Sequence, residues 1–271
     1  MKILLSSLIL LALSAISYAQ IKFTTYYEQV GNVRVLLADN DEYCPVTHSL
    51  ELKLNNVKSS IGSKAQVVVP PRTKRFKILS LTRIDRAKPA SAGGGGVSNL
   101  GDHSIQKYDA SFKYYLPVKK GKKLRVWQGY NGTFSHRQTN ALDFDMKEGT
   151  PIFAIRGGIV AKVVEKYDRG CPSEECKDFN NSILIYHSDG TFAGYSHLRK
   201  NGSKVEEGDK VEIGQEIGYS GNTGWSSGPH LHLSVFLQRM NSRETLRTKF
   251  LVDKGDKEKF LKENRSYKRK Y

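Results

Sequence analysis

Helical periodicity is the first thing this sequence lacks. No stretch of residues 127–240 repeats apolar side chains at a helical spacing over a useful length, which excludes a helical domain there and leaves β structure. Acidic side chains are also short: 27 Asp and Glu stand against 43 Lys and Arg, a formal charge of +16. That excess favours anionic partners. Nucleic acid is not expected among them, because no nucleic-acid motif accompanies the charge. Long apolar runs are confined to the start of the chain. Residues 3–16 are too short for a bilayer span of about 20 residues. They follow Lys2 and precede Ser17, Tyr18 and Ala19, the pattern of a signal peptide at residues 1–19 cut after Ala19. No later segment is apolar enough to be a transmembrane span. The expectation is an exported protein bound for periplasm, cell surface or medium, whose oligomeric state the sequence does not address.

Cysteine is limited to Cys44, Cys171 and Cys176. Cys171 and Cys176 sit close enough in a CPSEEC loop for a structural disulfide, the favoured reading, although spacing alone also fits two free thiols.

What is present is alternation. VRVLLA, LELKL, AQVVV, FKILSL and SFKYYL are separated by turn residues at Asn40, Asn55, Asn56, Gly62, Pro70 and Pro71, which predicts a small β-sandwich over residues 20–126. Residues 87–104 are so rich in glycine that they read as a mobile loop within it. No catalytic constellation is visible there, and His48 and His103 are isolated in the sequence. From Trp127 onward short β segments continue. TPIFAIR and IVAKVVEKY flank Gly157 and Gly158 as one expected hairpin, and SILIYH and TFAGYSHL flank a Ser188, Asp189, Gly190 turn as another. Residues 241–271 form a basic tail, a solvated arm or a short helix around EKFLKE. The fold class expected is therefore all-β, a sandwich followed by a β domain over residues 127–240.

Chemistry is concentrated in GNTGWSSGPHLHLSVF. Alternation from His230 to Phe236 predicts a strand on which His230, His232 and Ser234 share a face. An isolated pair of this kind fits a sheet surface as well as a metal. Its candidate partners are His136, Asp143, Asp145, His187 and His197. Three protein donors with an open fourth position would make a catalytic zinc centre, and nitrogen with carboxylate donors needs none of the cysteines.

Four ordered motifs, SHRQTNALDFDMKEGTP, NNSILIYHSDGTFAGYSHL, VEEGDKVEIGQEIGYSGNTG and SSGPHLHLSVF, resemble the lysostaphin-like, or LytM-type, zinc metallopeptidases of peptidoglycan. The resemblance covers about residues 128–237. It implies one Zn2+ held by His136, Asp143 and His232, with His230 and His197 as catalytic residues. His197 is the preferred general base and His230 the group that stabilises the tetrahedral intermediate, and the two roles are interchangeable. Peptidoglycan peptides become the implied substrate, with anionic cell-wall polymers as further partners of the basic surface. The family spaces its first two ligands His-x-x-x-Asp. Here His136 and Asp143 lie seven positions apart, with RQTN as the insertion. Asp143 is preferred to Asp145 because its distance to Glu148, Gly149 and Thr150 matches the family. His187 has a family counterpart outside the metal ligands. Asn181 and Tyr195 are candidates for the substrate groove, Tyr195 because it stands two positions before His197. The competing expectation is a non-hydrolytic wall-binding or hydrolase-regulating protein on the same fold.

Overall fold

The alternating segments of the first hundred residues pair into two sheets. A computed structural model describes residues 21–271, so the expected signal peptide lies outside the described residues. One sheet orders Phe23–Val30, Val33–Asn40, Thr73–Arg83 and Val57–Ser59; the other orders Lys64–Val69, Val46–Asn55 and Ser91–Leu100. Leu36, Ala38, Leu79 and Leu81 from the first meet Leu50, Leu52 and Val69 from the second, so the expected sandwich is present. The glycine-rich segment is not a loop. Ser91–Leu100 pairs over its whole length with Val46–Asn55. A Cβ on Gly94 or Gly96 would run into Glu51 and His48 of that neighbour, so close approach between strands selects glycine despite its poor β propensity.

A second, larger core gathers Phe144, Ile183, Ile185, Tyr195, Leu231 and Leu233 around an antiparallel sheet. Its central order is Gly158–Val164, Ser182–Tyr186, Phe192–Ser196, His230–Gln238, Ala141–Asp145 and Lys123–Gln128. The architecture is all-β, as expected. Ser182–Tyr186 and Phe192–Ser196 form the expected hairpin. The other hairpin does not form: Pro151–Phe153 pairs with Glu216–Ser220, whereas Gly158–Val164 pairs with Ser182–Tyr186. A glycine pair permits a sharp change of direction but does not choose the partner strand.

One end of this sheet recruits unexpected segments. Lys123–Gln128 spans residue 126 and pairs with Ala141–Asp145, while Tyr114, Leu116, Val118 and Leu124 join the same core. The basic tail is neither a helix nor a solvated arm. Ser266–Lys268 pairs with Lys123–Gln128, Lys249–Val252 pairs with Lys113–Tyr114, and Phe250, Val252 and Leu261 are buried. Its apolar residues at alternate positions insert while the lysines face water, so net charge concealed an amphipathic pattern.

The sandwich docks beside the histidine-bearing strand. Phe236, on the His232 face, packs with Phe192, Ala161 and Cys44. Buried Glu42 meets Lys162 at 2.8 Å. Among the described residues no helix is long and apolar enough to cross a membrane.

Candidate metal centre

Strand register assembles the centre. His232 lies directly opposite Asp143 on one side and Ser196 on the other, so the first two functional side chains are neighbours by pairing alone. His136 arrives from a loop. Thr139 N donates to the His136 carbonyl at 2.9 Å and Asn131 N to Thr139 O at 3.0 Å, so the inserted residues turn outward while His136 stays against the strand. Gln138 takes φ 58° in that turn. The seven-residue spacing is thus absorbed locally.

His136, Asp143 and His232 offer ligand atoms all within 4.8 Å of one another. His136 Nε2 is 3.2 Å from Asp143 Oδ2, and His232 Nδ1 is 2.8 Å from Asp143 Oδ1. His136 Nε2 and His232 Nδ1 approach to 3.3 Å. His136 Nδ1 donates to Gly129 O at 3.0 Å, which fixes the proton there and aims the Nε2 lone pair inward. Lone pairs and a carboxylate converging in a buried space repel unless a cation or proton lies among them. Two imidazoles and a carboxylate suit zinc. Asp145, two residues on, points out to solvent and is not in this group.

Burial would raise the Asp143 carboxyl, but hydrogen bonds and charge from His136 and His232 hold it well below the usual range. Burial pulls His136 down, and Asp143 more than offsets it, so the net direction is up.

His230 and His197 flank the group. His230 Nε2 is 3.8 Å from Asp143 Oδ1, and the His197 ring lies 4.6 Å from that of His230 and 5.9 Å from that of His232. Both donate Nδ1–H to a backbone carbonyl, His230 to Gly228 at 2.8 Å and His197 to Thr223 at 2.7 Å. Each therefore keeps an Nε2 lone pair for the shared space. Burial, reinforced by the neighbouring imidazoles, pushes His197 down to about 3, and burial likewise lowers His230. Both rings are neutral at pH 7. His197 adopts φ 64°, a left-handed conformation uncommon outside glycine, and is held by its N–H donating to Asn180 Oδ1 at 2.9 Å.

Two groove candidates are misplaced by the sequence reading. Tyr195 is fully buried and its hydroxyl accepts from Ile155 N at 2.9 Å. The left-handed turn at His197 breaks the alternation, so the two side chains do not share a face; Tyr195 registers with core residue Leu233. Asn181 is also fully buried, donating to Tyr167 O at 2.7 Å and accepting from Tyr167 N at 3.0 Å, so it clamps the 166–181 loop rather than facing a groove. His187 is buried away from the centre, its Nδ1 donating to Gly157 O at 2.9 Å. Cys171 and Cys176 form a disulfide that closes a short 3-10 turn, Glu174–Phe179, and Cys44 is a buried free thiol. Gly129, Asn180, Thr223 and Gly228 were missed. The last three lie inside NN, GNTG and SSGPH, where asparagine and glycine at a strand end mark backbone groups available to position a neighbour.

An open three-donor centre with two further imidazoles beside it is the arrangement of a metal-dependent hydrolase. The model of peptidase family M23 matches residues 137–244, starting one residue past His136, and the chain belongs to that family. A metalloprotease of uncharacterised function from Haemophilus influenzae is 34% identical over 247 residues, covering 83% of this chain and 50% of that protein. The glycyl-glycine endopeptidase ALE-1 of Staphylococcus capitis is 41% identical over 106 residues, 37% of this chain and 24% of the relative. The peptidoglycan DD-endopeptidase ShyA of Vibrio cholerae is 35% identical over 99 residues, 36% of this chain and 20% of the relative. The chain thus spans between 20% and 50% of the length of these relatives.

Proposed function

We propose that the protein is an exported zinc metalloendopeptidase that hydrolyses peptide bonds in the stems or crosslinks of bacterial peptidoglycan. The observation that carries this reading is the convergence of His136, Asp143 and His232 with two further imidazoles, His197 and His230, beside them. The activities of the glycyl-glycine and DD-endopeptidase relatives support the substrate class. Residues 23–100 act as an accessory sandwich, and residues 113–268 as the peptidase unit, a division that follows the two cores rather than residue 126. The excess of cations orients the chain on anionic wall polymers.

His136, Asp143 and His232 would hold Zn2+, which supplies Lewis acidity and lowers the pKa of a bound water toward about 7. His197 Nε2, unprotonated because Nδ1 carries the proton, accepts a proton from the attacking water. That proton goes on to the leaving amine; His230 Nε2, equally an acceptor, can take it in place of His197 and, as the imidazolium so formed, donate to the oxyanion before passing it on. The shared tautomer explains why the two roles are interchangeable. Thr223 O and Gly228 O keep both rings in that tautomer.

The test is mass spectrometry of fragments released from purified walls of several crosslink types by residues 20–271, with and without a zinc chelator. Chelator-sensitive fragments with new amino termini are expected. A zinc-loaded protein that releases none from any wall would instead be a non-hydrolytic wall-binding or hydrolase-regulating protein.

A further inference from the structure

A row of side chains crosses the sheet beside the histidines and has no part in the chemistry above. Arg125 and Trp127 alternate onto the outer face of Lys123–Gln128, whose intervening residues are buried. Asp145 ends the adjacent strand directly opposite His230. Together with Ser227 they line a cleft of about 260 Å3 that opens on His230. The Trp127 ring stands edge-on at 5.7 Å from His230, and Phe134 lies 6.2 Å from Trp127. Trp127 and Phe134 are 39% and 71% exposed, an aromatic patch beside a largely apolar cleft with two charged side chains on its wall.

The cleft carries one charge of each sign. Arg125 Nη1 is 3.7 Å from Asp145 Oδ2, with the side chains 46% and 60% exposed. So long and wet a pair is weak, and a ligand replaces either partner without stranding a buried charge. Arg125 does not swing freely, because Nη2 donates to Asn264 Oδ1 at 2.7 Å from the C-terminal segment. A simple anion at Arg125 would sit against Asp145, and a simple cation at Asp145 against Arg125. A ligand bearing both charges a few ångströms apart satisfies both.

We propose that this cleft is the subsite for a substrate residue whose side chain ends in an amino-acid head, its carboxylate on Arg125, its ammonium on Asp145 and its methylene stem over Trp127. The proposal rests on the endopeptidase reading and adds a specificity determinant next to the reacting bond. Exposed Trp225 is the other of the two tryptophans, so Trp225→Phe leaves Trp127 as a single fluorescent reporter.

In that background the probes are diaminopimelic acid, which carries an amino-acid head at each end, glutarate, and 1,5-diaminopentane. A saturable change with diaminopimelic acid is expected, with binding at least about tenfold weaker for either single-charge probe. Asp145→Asn and Arg125→Met each weaken diaminopimelic acid by about tenfold and raise KM on wall substrate while kcat stays within about twofold; Arg125→Lys loses less. Zinc content and melting temperature are measured on every variant to show that fold and centre persist. Equal responses to the three probes, no response, or variants that bind unchanged would overturn the subsite. Walls cut by a protein that ignores diaminopimelic acid would sink the subsite and leave the endopeptidase standing. Saturable binding without cleavage of any wall would do the reverse.

Discussion

The sandwich and the large sheet are built from the same alternation of side chains, yet Asn40 in the first and the clustered histidines in the second are buried to opposite ends. In the sandwich, fully buried Asn40 donates to Cys44 O, Val69 O and Pro70 O at 3.2, 3.1 and 2.9 Å, and its Oδ1 accepts from Glu42 N at 3.0 Å. Both ends of its amide are closed by backbone, and the group does nothing but hold a corner. In the large sheet, His136, His197 and His230 each give only Nδ1 to a backbone carbonyl and keep Nε2 for the cluster. A closed polar network is structural. A half-closed one, fixed on one side and open on the other, is where chemistry is available.

The largest effects should separate members of the open network from one another. His232→Ala removes a donor from the three-residue group, so zinc content and wall hydrolysis should both fall to background. His230→Ala should keep zinc and lose about 100- to 10,000-fold in turnover, the range for a positioned acid-base group. Metal analysis beside fragment release checks this. Loss of zinc in the His230 variant would break the division of roles.

Next comes the contact that joins the two regions. Glu42 is fully buried and meets Lys162, itself 12% exposed, at 2.8 Å. Lys162→Met leaves that carboxylate without its cation and should cost about 3–5 kcal/mol in urea unfolding. The double variant with Glu42→Gln should be milder than the sum of the singles. Additive losses would mean that the pair does not couple the sandwich to the sheet.

A smaller, pH-dependent effect belongs to His187. Burial is the main cause that pushes it down to about 4, against an unfolded value near 6.5. The unfolded chain therefore binds a proton that the folded chain refuses. The stability this gives is complete above pH 6.5 and is lost as pH falls toward about 4, a difference of about 3 kcal/mol. Urea unfolding at pH 7 and 4.5 should show a steeper acid loss for the natural chain than for His187→Gln. Parallel slopes would show that the ring is not held neutral.

What the sequence disclosed follows the same contrast. His230 and His232 could be placed on one strand face because they lie inside regular alternation, whereas the choice of Asp143 over Asp145 came from the family resemblance. His136 needed a family resemblance, because its reach depends on a turn closed by Thr139 that no periodicity encodes. The glycine-rich strand and the basic tail were misread for a shared reason. Local propensity and charge describe a segment in water, whereas Ser91–Leu100 and Ser266–Lys268 are strands because a neighbour offers an edge. Arg125 and Asp145 come together across different strands, so spacing within one segment brought up Asp145 only as a metal donor and did not bring up Arg125 at all.

Tyr195 gives the finest test of the contrast, because sequence placed it with the open network and structure places it with the closed one. Its hydroxyl lies in the core and accepts the Ile155 N–H at 2.9 Å, and burial pushes that hydroxyl's pKa upward. Tyr195→Phe keeps the ring and removes only the acceptor, leaving a buried N–H without its partner. The expected cost is about 1–2 kcal/mol in urea unfolding, with KM and kcat on wall substrate unchanged. A hydroxyl facing substrate would give the converse, unaltered stability and a shifted KM or kcat. That result would return Tyr195 to the groove, and it would require the strand to continue its alternation through His197 instead of ending in the left-handed turn at φ 64°.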